Sequence, residues 1–213
     1  MNSDSARRVG GGEPDLTIFT TIHRGMRAEV RRLADLTAAQ GDAPFPPERE
    51  AALRRHLDSL LHEIHAHHAS EDEIVWPVIV AAAGAAIDLA PLTDDHGAID
   101  PCLDRVRAAR GTARAKALAD LRDLLDEHIT EEEATVFPIV RRYLTAEQWA
   151  ACEARIRKGA KPSHLRWLVP FIAASCEPAD RARLLADAGA PMRLVLRLFG
   201  PSYARLLRAV YGS

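Results

Sequence analysis

Two stretches of the chain repeat one another, and each joins histidines and acids to an apolar run. Residues 67–77 read HHASEDEIVWP, and residues 128–138 read HITEEEATVFP, 61 positions later. Four matching positions carry the same residue or a residue of the same type: His67 and His128, Glu71 and Glu132, Trp76 and Phe137, Pro77 and Pro138. A chain built from two such copies is expected to fold into two similar units.

Apolar residues recur at three- and four-residue intervals around these stretches, a period typical of amphipathic helices. Four helices are predicted, over about residues 15–40, 47–83, 91–110 and 113–143. The first and third helices also align, with His23 opposite His96. An antiparallel four-helix bundle is the simplest way to bury four apolar stripes, so the expected fold class is all-α.

The expected domain organisation has three parts. Residues 1–14 are rich in glycine, serine and arginine and are predicted to be a disordered tail. Residues 15–143 are predicted to form the bundle. Residues 144–213 are predicted to form a C-terminal extension of several shorter helices, which we expect to dock against the bundle. The basic, amphipathic end of this extension leaves contact with a membrane surface open as a minor alternative.

Composition and cysteine usage argue against several classes of protein. Acidic and basic residues are interleaved and the net charge is −2, so no nucleic-acid partner is expected. Three widely separated cysteines without a CxxC pair favour neither a disulfide framework nor a thiolate metal site. No run is long and apolar enough for a membrane span or a signal peptide, so the expected localisation is cytoplasmic.

The polar residues of the repeat predict a metal site. Residues four apart on a helix project from one face, and here that face is the apolar one. A buried polar group without a partner costs about 1 to 3 kcal/mol, whereas a bound cation stabilises such groups. Nitrogen and oxygen donors without thiolate suit iron, manganese or zinc. The candidate metal ligands are His23, His67, Glu71, His96, His128 and Glu132.

This series of histidines and HxxxE motifs, each motif followed by an aromatic residue and proline, resembles the hemerythrin-like (HHE cation-binding) domain family over about residues 15–143. The resemblance implies a four-helix bundle around a non-haem di-iron centre, with an open position for dioxygen, hydrogen peroxide or nitric oxide. It assigns His23 and His67 to one iron, His96 and His128 to the other, and Glu71 and Glu132 to both as bridges.

The expected function is therefore to bind, sense or detoxify one of these small molecules. A catalase-like decomposition of peroxide would make the protein an enzyme. The alternative is an iron- or redox-responsive regulatory protein whose metal site controls the C-terminal helices. These functions differ in ligand access and redox potential rather than in ligand identity, so the residues alone do not choose among them.

One position departs from the oxygen-carrying members of the family. Those members carry a second histidine four residues after the third-helix histidine, where this chain has Asp100 followed by Pro101. Either Asp100 ligates that iron as a carboxylate, or the iron lacks one imidazole. Our hypothesis is that a more open iron favours chemistry with peroxide or nitric oxide over reversible oxygen carriage.

Other polar residues near the repeats have alternative assignments. His68 points about 100° away from His67 and is expected to be solvated or beside the site, with ligation in place of His67 as the alternative. Glu133 competes with Glu132 as a ligand, and Glu63 is a candidate for orienting His67. The remaining histidines are expected outside the site: His56 lies about three turns away, and His62, His65 and His164 are predicted to be surface residues.

Overall fold

The computed structural model describes residues 12–84, 87–187 and 189–212, and every regular element in these ranges is a helix. The elements are α1 (Thr17–Gln40), α2 (Pro47–Ser70), a π-helical turn (Glu71–Val75), α3 (Trp76–Ala83), α4 (Ala90–Ala108), α5 (Gly111–Tyr143), α6 (Ala146–Gly159), α7 (Pro162–Ser175), α8 (Pro178–Asp187) and α9 (Gly189–Tyr211). The predicted all-α fold is confirmed.

The bundle consists of α1, the continuous helix from α2 to α3, α4 and α5. Each helix turns one apolar stripe inward: Met26 and Val30 of α1, Leu60 of α2, Ile99 of α4 and Leu121 of α5 are at most 1% exposed. Burial of one such side chain contributes about 1.5 to 3 kcal/mol relative to leaving it in water. The period of three and four residues in the sequence therefore corresponds to the core-facing stripes of the bundle.

The helix from α2 to α3 contains a π-helical turn in the first copy of the repeat. The N–H of Trp76 donates to the carbonyl oxygen of Glu71, five residues earlier. Pro77 follows directly and has no N–H for the carbonyl of Glu73, so a regular α-helical hydrogen bond is lost at this point. The matching stretch of α5 runs through Pro138 as a regular α-helix. The π turn therefore distinguishes the two copies of the repeat.

Helix α7 of the C-terminal extension packs closely on α1 at a glycine. A Cβ atom at Gly25 would lie 2.5 Å from Oγ of Ser175 and 2.7 Å from Cζ of Phe171, so a larger residue fits only if these side chains of α7 shift. The guanidinium of Arg24 donates to the carbonyl oxygen of Ser175 from Nε at 2.9 Å and from Nη2 at 2.6 Å. The extension docks on the bundle through these contacts, as expected.

A buried polar cluster fixes α9 to the bundle, one helical turn along α1 from Gly25. Nε2 of His56 donates to Oε1 of Glu29 at 2.6 Å, and the hydroxyl of Tyr211 in α9 donates to the same oxygen. Nε1 of Trp167 in α7 donates to Nδ1 of His56 at 3.3 Å. Burial raises the pKa of Glu29, but the hydrogen bonds from His56 and Tyr211 outweigh it and hold the pKa below its usual range. An ionised glutamate thus joins α1, α2 and α9.

The predicted disordered tail falls mostly outside the described residues, which begin at Gly12. The carbonyl oxygen of Gly12 accepts a hydrogen bond from the N–H of Ala146 at 3.1 Å, and Pro14 is buried. Residues 12–14 therefore lie against the folded chain rather than in a disordered tail. The physical reason is that the backbone of Gly12 satisfies a donor at the start of α6.

The three cysteines, Cys102, Cys152 and Cys176, are free, as the sequence predicts. Of the helices in the described part of the chain, none is both long enough and apolar enough to cross a bilayer.

Candidate metal centre

Polar side chains divide the apolar core of the bundle into two clusters. The larger cluster includes Met26 and Leu125, and the smaller one includes Phe19 and Val136. On each bundle helix, the candidate ligands lie between residues of these two clusters. All six are buried, and they come from α1 (His23), α2 (His67), the π turn (Glu71), α4 (His96) and α5 (His128 and Glu132).

Four side chains form a first group, in which one ligand atom from each lies within 4.8 Å of the others: His23, His67, Glu71 and Glu132. Nε2 of His23 is 2.9 Å from Nε2 of His67, which is itself 2.8 Å from Oε1 of Glu71. Nε2 of His23 is 3.3 Å from Oε2 of Glu132. Donor atoms bound at about 2.1 Å to one metal ion, at right angles to each other, lie about 3 Å apart. The spacing of this group matches that of donors around one ion.

Four side chains form a second group by the same measure: His68, Glu71, His96 and His128. Oε2 of Glu71 is 3.4 Å from Nε2 of His96, whereas its Oε1 faces His67 of the first group. Glu71 therefore belongs to both groups, with one oxygen toward each. Glu132 is a member of the first group, and its Oε2 lies 3.8 Å from Nε2 of His128 in the second.

Three of the imidazoles form hydrogen bonds with carboxylates through the ring nitrogen that faces away from the centre. The pairs are His23 with Glu133 (2.9 Å), His96 with Asp72 (3.0 Å) and His128 with Asp95 (3.5 Å), each through Nδ1. An ionised carboxylate only accepts hydrogen bonds, so Nδ1 carries the proton and Nε2 presents its lone pair to the centre. Asp72 and Glu133 occupy matching positions in the repeat, and each binds the histidine of the other half. The two halves therefore orient one another.

Aromatic rings cover the imidazoles on the side of the smaller apolar cluster. The ring of Phe19 contacts that of His23 with a centroid distance of 4.7 Å. Phe137 stacks on His23 at 6.4 Å, and Trp76 stacks on His96 at 6.3 Å. The aromatic residue that ends each copy of the repeat thus shields one imidazole of each group from water.

Burial and neighbouring charges give the two glutamates opposite pKa shifts. Burial raises the pKa of Glu71, but nearby imidazoles, led by that of His67, outweigh it and hold the pKa well below its usual range. Burial and the charge of Glu71 raise the pKa of Glu132 well above its usual range. Burial lowers the pKa of His68 well below its usual value and lowers that of His128 to about 4. Both imidazoles are therefore neutral at physiological pH, the form that binds metals.

The buried atoms of the centre fit a cation better than they fit one another. Within the described residues, hydrogen-bond partners are lacking for both carboxylate oxygens of Glu71 and Glu132, both ring nitrogens of His68, and Nε2 of His96 and His128. The short approach of His67 to Glu71 does not have hydrogen-bonding geometry. Each buried group without a partner costs about 1 to 3 kcal/mol. A cation satisfies carboxylates and neutral imidazoles together, so the donor set fits one ion in each group.

Comparison with known protein families agrees with this donor set. The hemerythrin HHE cation-binding domain matches residues 15–140, more than half of the chain. The chain belongs to this family. The matched range contains α1 to α4 and most of α5, and it ends before α6, so the C-terminal extension of this HHE protein lies outside the family match.

A curated protein similar to this HHE protein is a DNA nickase from Nostoc sp. (strain PCC 7120 / SAG 25.82 / UTEX 2576). The two sequences are 26% identical over an alignment of 106 positions, and the alignment covers 46% of this chain and 29% of the nickase. The match thus spans less than a third of the length of that relative. No solved structure has a significant match to the chain.

The location of His68 in the HHE bundle corrects the prediction of a solvated side chain. Its side chain is 2% exposed, its ring stacks on His96 with a centroid distance of 4.3 Å, and it belongs to the second group. The core-facing sector of a bundle helix is wide enough to include both His67 and His68. The repeat itself indicates that His68 faces inward, because the matching residue in the second copy is Ile129, which is apolar and buried.

Asp100 lies outside both groups, which contradicts its proposed role as a ligand. Its side chain is 48% exposed and accepts a hydrogen bond from Nδ1 of His65 at 3.0 Å. The alternative, that one iron lacks an imidazole, is not supported either, because His68 gives the second group three imidazoles. The third histidine of the second group lies on α2 rather than on α4.

Glu133 and Glu63, the two other candidate acids, each form a hydrogen bond with a histidine. Glu133 binds Nδ1 of His23 and lies outside both groups, so it does not replace Glu132. Glu63 is buried, and its Oε2 accepts a hydrogen bond from Nε2 of His164 at 2.6 Å.

The prediction that His164 is a surface residue was wrong, because α7 turns it toward α2. His56 lies outside both groups and His65 is exposed, as expected, whereas His62 is half-buried.

Proposed function

We propose that the chain is a non-haem di-iron protein that binds a small oxidant or gas, namely dioxygen, hydrogen peroxide or nitric oxide, at the buried centre. The observation that carries this proposal is the convergence of five histidines and two glutamates into two groups that share Glu71. Neither group contains a cysteine. Two histidines and a carboxylate with further positions open are typical of non-haem iron sites that react with oxygen species.

In this proposal each group holds one ion. His23 and His67 serve the first ion, and three imidazoles serve the second: His68, His96 and His128. Glu71 would help to hold both ions, because each of its oxygens faces one group, and Glu132 is the second carboxylate that could contribute to both. Manganese and zinc accept the same donors, so metal supply in the cell selects among them.

The chain's own residues decide which molecules reach the ions and how the ligands are held. Iron held by these residues would supply affinity for a small ligand and one-electron chemistry. The carboxylates of Asp72, Asp95 and Glu133 keep three imidazoles in one orientation and one tautomer. Phe19, Trp76 and Phe137 exclude bulk water, and burial in such surroundings disfavours charged ligands. Dioxygen, hydrogen peroxide and nitric oxide are all small and uncharged, which fits this selection. Localisation in the cytoplasm stays part of the proposal.

Elemental analysis of the aerobically purified protein tests the proposal. We expect about two iron ions per chain, one for each group, and their loss in the double variant His67→Ala/His128→Ala. Absorption spectra with added peroxide or nitric oxide then report ligand binding, and oxygen release from peroxide would make the protein an enzyme. A folded wild-type protein that takes up no metal, even when reconstituted with iron(II), would rule out the centre.

The variant His68→Ala tests the second group separately. Iron content is expected to fall to about half, because His68 is one of three imidazoles in that group. The matched control is His65→Ala, an exposed histidine three residues earlier on the same helix, which should retain both ions. Equal iron contents in the two variants would remove His68 from the site.

A second candidate function is regulation of the C-terminal helices by the metal site. Helix α7 touches both helices that carry the histidines of the first group. It meets α1 at Gly25, two residues after His23. Its His164 binds Glu63, one turn before His67. Movement of either helix on metal binding would reach α7 through these contacts.

Limited proteolysis of the metal-free and iron-loaded protein tests this second candidate. Slower cleavage of the extension on iron loading would support regulation, because tighter docking of α7 protects its backbone. Equal cleavage rates would contradict it while leaving the di-iron proposal intact, since iron content is measured independently.

A further inference from the structure

The outward face of α9 combines exposed leucines with exposed arginines. Leu194 and Leu198 are 55% and 61% exposed and lie four residues apart on one side of the helix. At about 100° per residue, the arginines Arg197, Arg205 and Arg208 project within about 60° of Leu194. All three arginines are exposed. Apolar and basic side chains therefore share one surface, which we call the α9 face.

Helix α9 has no acidic residue to balance this charge. Between Gly189 and Tyr211 it contains four arginines and neither aspartate nor glutamate. Within the described part of the chain, no ion pair is formed by the three arginines of the α9 face. The face therefore presents its full positive charge to solvent.

Charge is divided unevenly along the chain, and the excess of basic residues lies in the C-terminal extension that contains the α9 face. Residues 145–213 contain eleven basic and five acidic residues, whereas residues 1–144 contain seventeen basic and twenty-five acidic ones. The small net charge of −2 hides this division. An acidic bundle with a basic extension turns the α9 face toward an anionic surface and the bundle away from it.

The opposite side of α9 is already occupied. Tyr203 and Val210 are buried against the bundle, and the backbone carbonyl of Val210 accepts a hydrogen bond from Nε of Arg49 at 2.8 Å. The helix is thus anchored by its inner side, and the α9 face remains available without any rearrangement of the fold.

We propose that the α9 face binds the surface of membranes that contain anionic phospholipids. Such a surface attracts arginines through its head groups and offers an apolar layer directly beneath them, where Leu194 and Leu198 lose their contact with water. Nucleic acid carries the same charge, but its phosphate backbone offers no apolar layer to these leucines. This binding is independent of the metal centre.

Co-sedimentation of the full-length chain with lipid vesicles tests the proposal. The protein should bind vesicles of phosphatidylcholine mixed with phosphatidylglycerol, should bind vesicles of phosphatidylcholine alone far less, and should be released as salt screens the charges. The variant Arg197→Gln/Arg205→Gln/Arg208→Gln should bind at least about tenfold more weakly. The variant Leu194→Ser/Leu198→Ser should also bind more weakly, because the apolar contribution is lost.

A matched control separates the α9 face from net charge. The variant Arg31→Gln/Arg54→Gln/Arg107→Gln removes three exposed arginines from the bundle and should bind as the wild-type protein does. Equal loss in the control would show that net charge alone is responsible, and undiminished binding by the α9 variants would overturn the proposal. Binding of a duplex DNA fragment through the same arginines, with no binding to vesicles, would overturn it in favour of nucleic acid. Unchanged circular dichroism spectra show that each variant is folded.

Discussion

Replacement of Glu132 by methionine should stabilise the metal-free protein. Glu132 is fully buried, and neither of its carboxyl oxygens has a hydrogen-bond partner among the described residues. Methionine has a similar size and no polar group that must be satisfied. Removal of a buried group without a partner is worth about 1 to 3 kcal/mol, which corresponds to a rise of about 2 to 12 °C in Tm for a chain of this length.

Bound metal should make the wild-type protein more stable than the Glu132→Met variant. At about a hundredfold excess of iron over its Kd, the wild-type protein gains about 2.7 kcal/mol, whereas the variant lacks a carboxylate ligand and gains less. Thermal unfolding followed by circular dichroism, with chelator and with iron(II), measures both effects. Glu131→Met is the control, since Glu131 is exposed on the same helix and should change neither result. If the chelator-treated variant unfolds at a lower temperature than chelator-treated wild type, the reasoning is refuted.

The stabilisation by Glu132→Met should also depend on pH. Burial and the charge of Glu71 raise the pKa of Glu132 in the folded protein. A carboxyl group with a raised pKa contributes stability below its unfolded pKa of about 4.5, and this contribution is lost as pH rises through the folded value. The gain from the substitution should therefore be larger at about pH 7 than at about pH 4. Equal gains at both pH values would assign the effect to packing rather than to the carboxyl group.

Three further substitutions test contacts outside the centre. Tyr211→Phe removes the hydroxyl donated to Glu29 and should lower the free energy of unfolding in urea by about 1 to 3 kcal/mol; an unchanged midpoint would contradict this. Gly25→Ala places a methyl group against the side chains of Phe171 and Ser175 in α7, and it should cost about 1 to 3 kcal/mol and speed proteolysis of the extension. Arg114→Met should cost about 1 kcal/mol at neutral pH and much less at about pH 3, as urea unfolding at each pH can measure. The hydrogen bond from Arg114 lowers the pKa of Glu50, so this pair contributes stability above the unfolded pKa of Glu50, about 4.5, and loses it as pH falls.

Much of the fold could be predicted because it depends on local patterns. Apolar residues with a helical period mark helices wherever they pack, and four such stripes have few ways to be buried together. The doubled HxxxE motif likewise placed His67 with Glu71, and His128 with Glu132, on inward faces, since residues four apart share a side of any helix. The structure brings all six candidate ligands together. Their binding of iron stays a prediction until metal content is measured.

The errors concern residues whose environment depends on neighbouring helices. The direction of His68 relative to His67 alone predicts a solvated side chain, whereas the bundle buries both histidines. The position of Asp100, four residues after His96, suggests a metal ligand, yet α4 turns its side chain outward to His65. No local pattern shows that His164 of the extension meets Glu63 of α2, more than a hundred residues earlier.

The sequence by itself determined the helical period, the number of bundle helices and the inward positions of the repeated histidines and glutamates. These follow from the geometry of a single helix, which every residue shares with its neighbours three and four positions away. Only the tertiary structure decided that Asp72 and Glu133 each orient a histidine of the other half, that His68 completes the second group, and that α9 keeps one basic face outward. Such features depend on which helices lie side by side, because atoms distant in the chain acquire definite distances only when the core is packed.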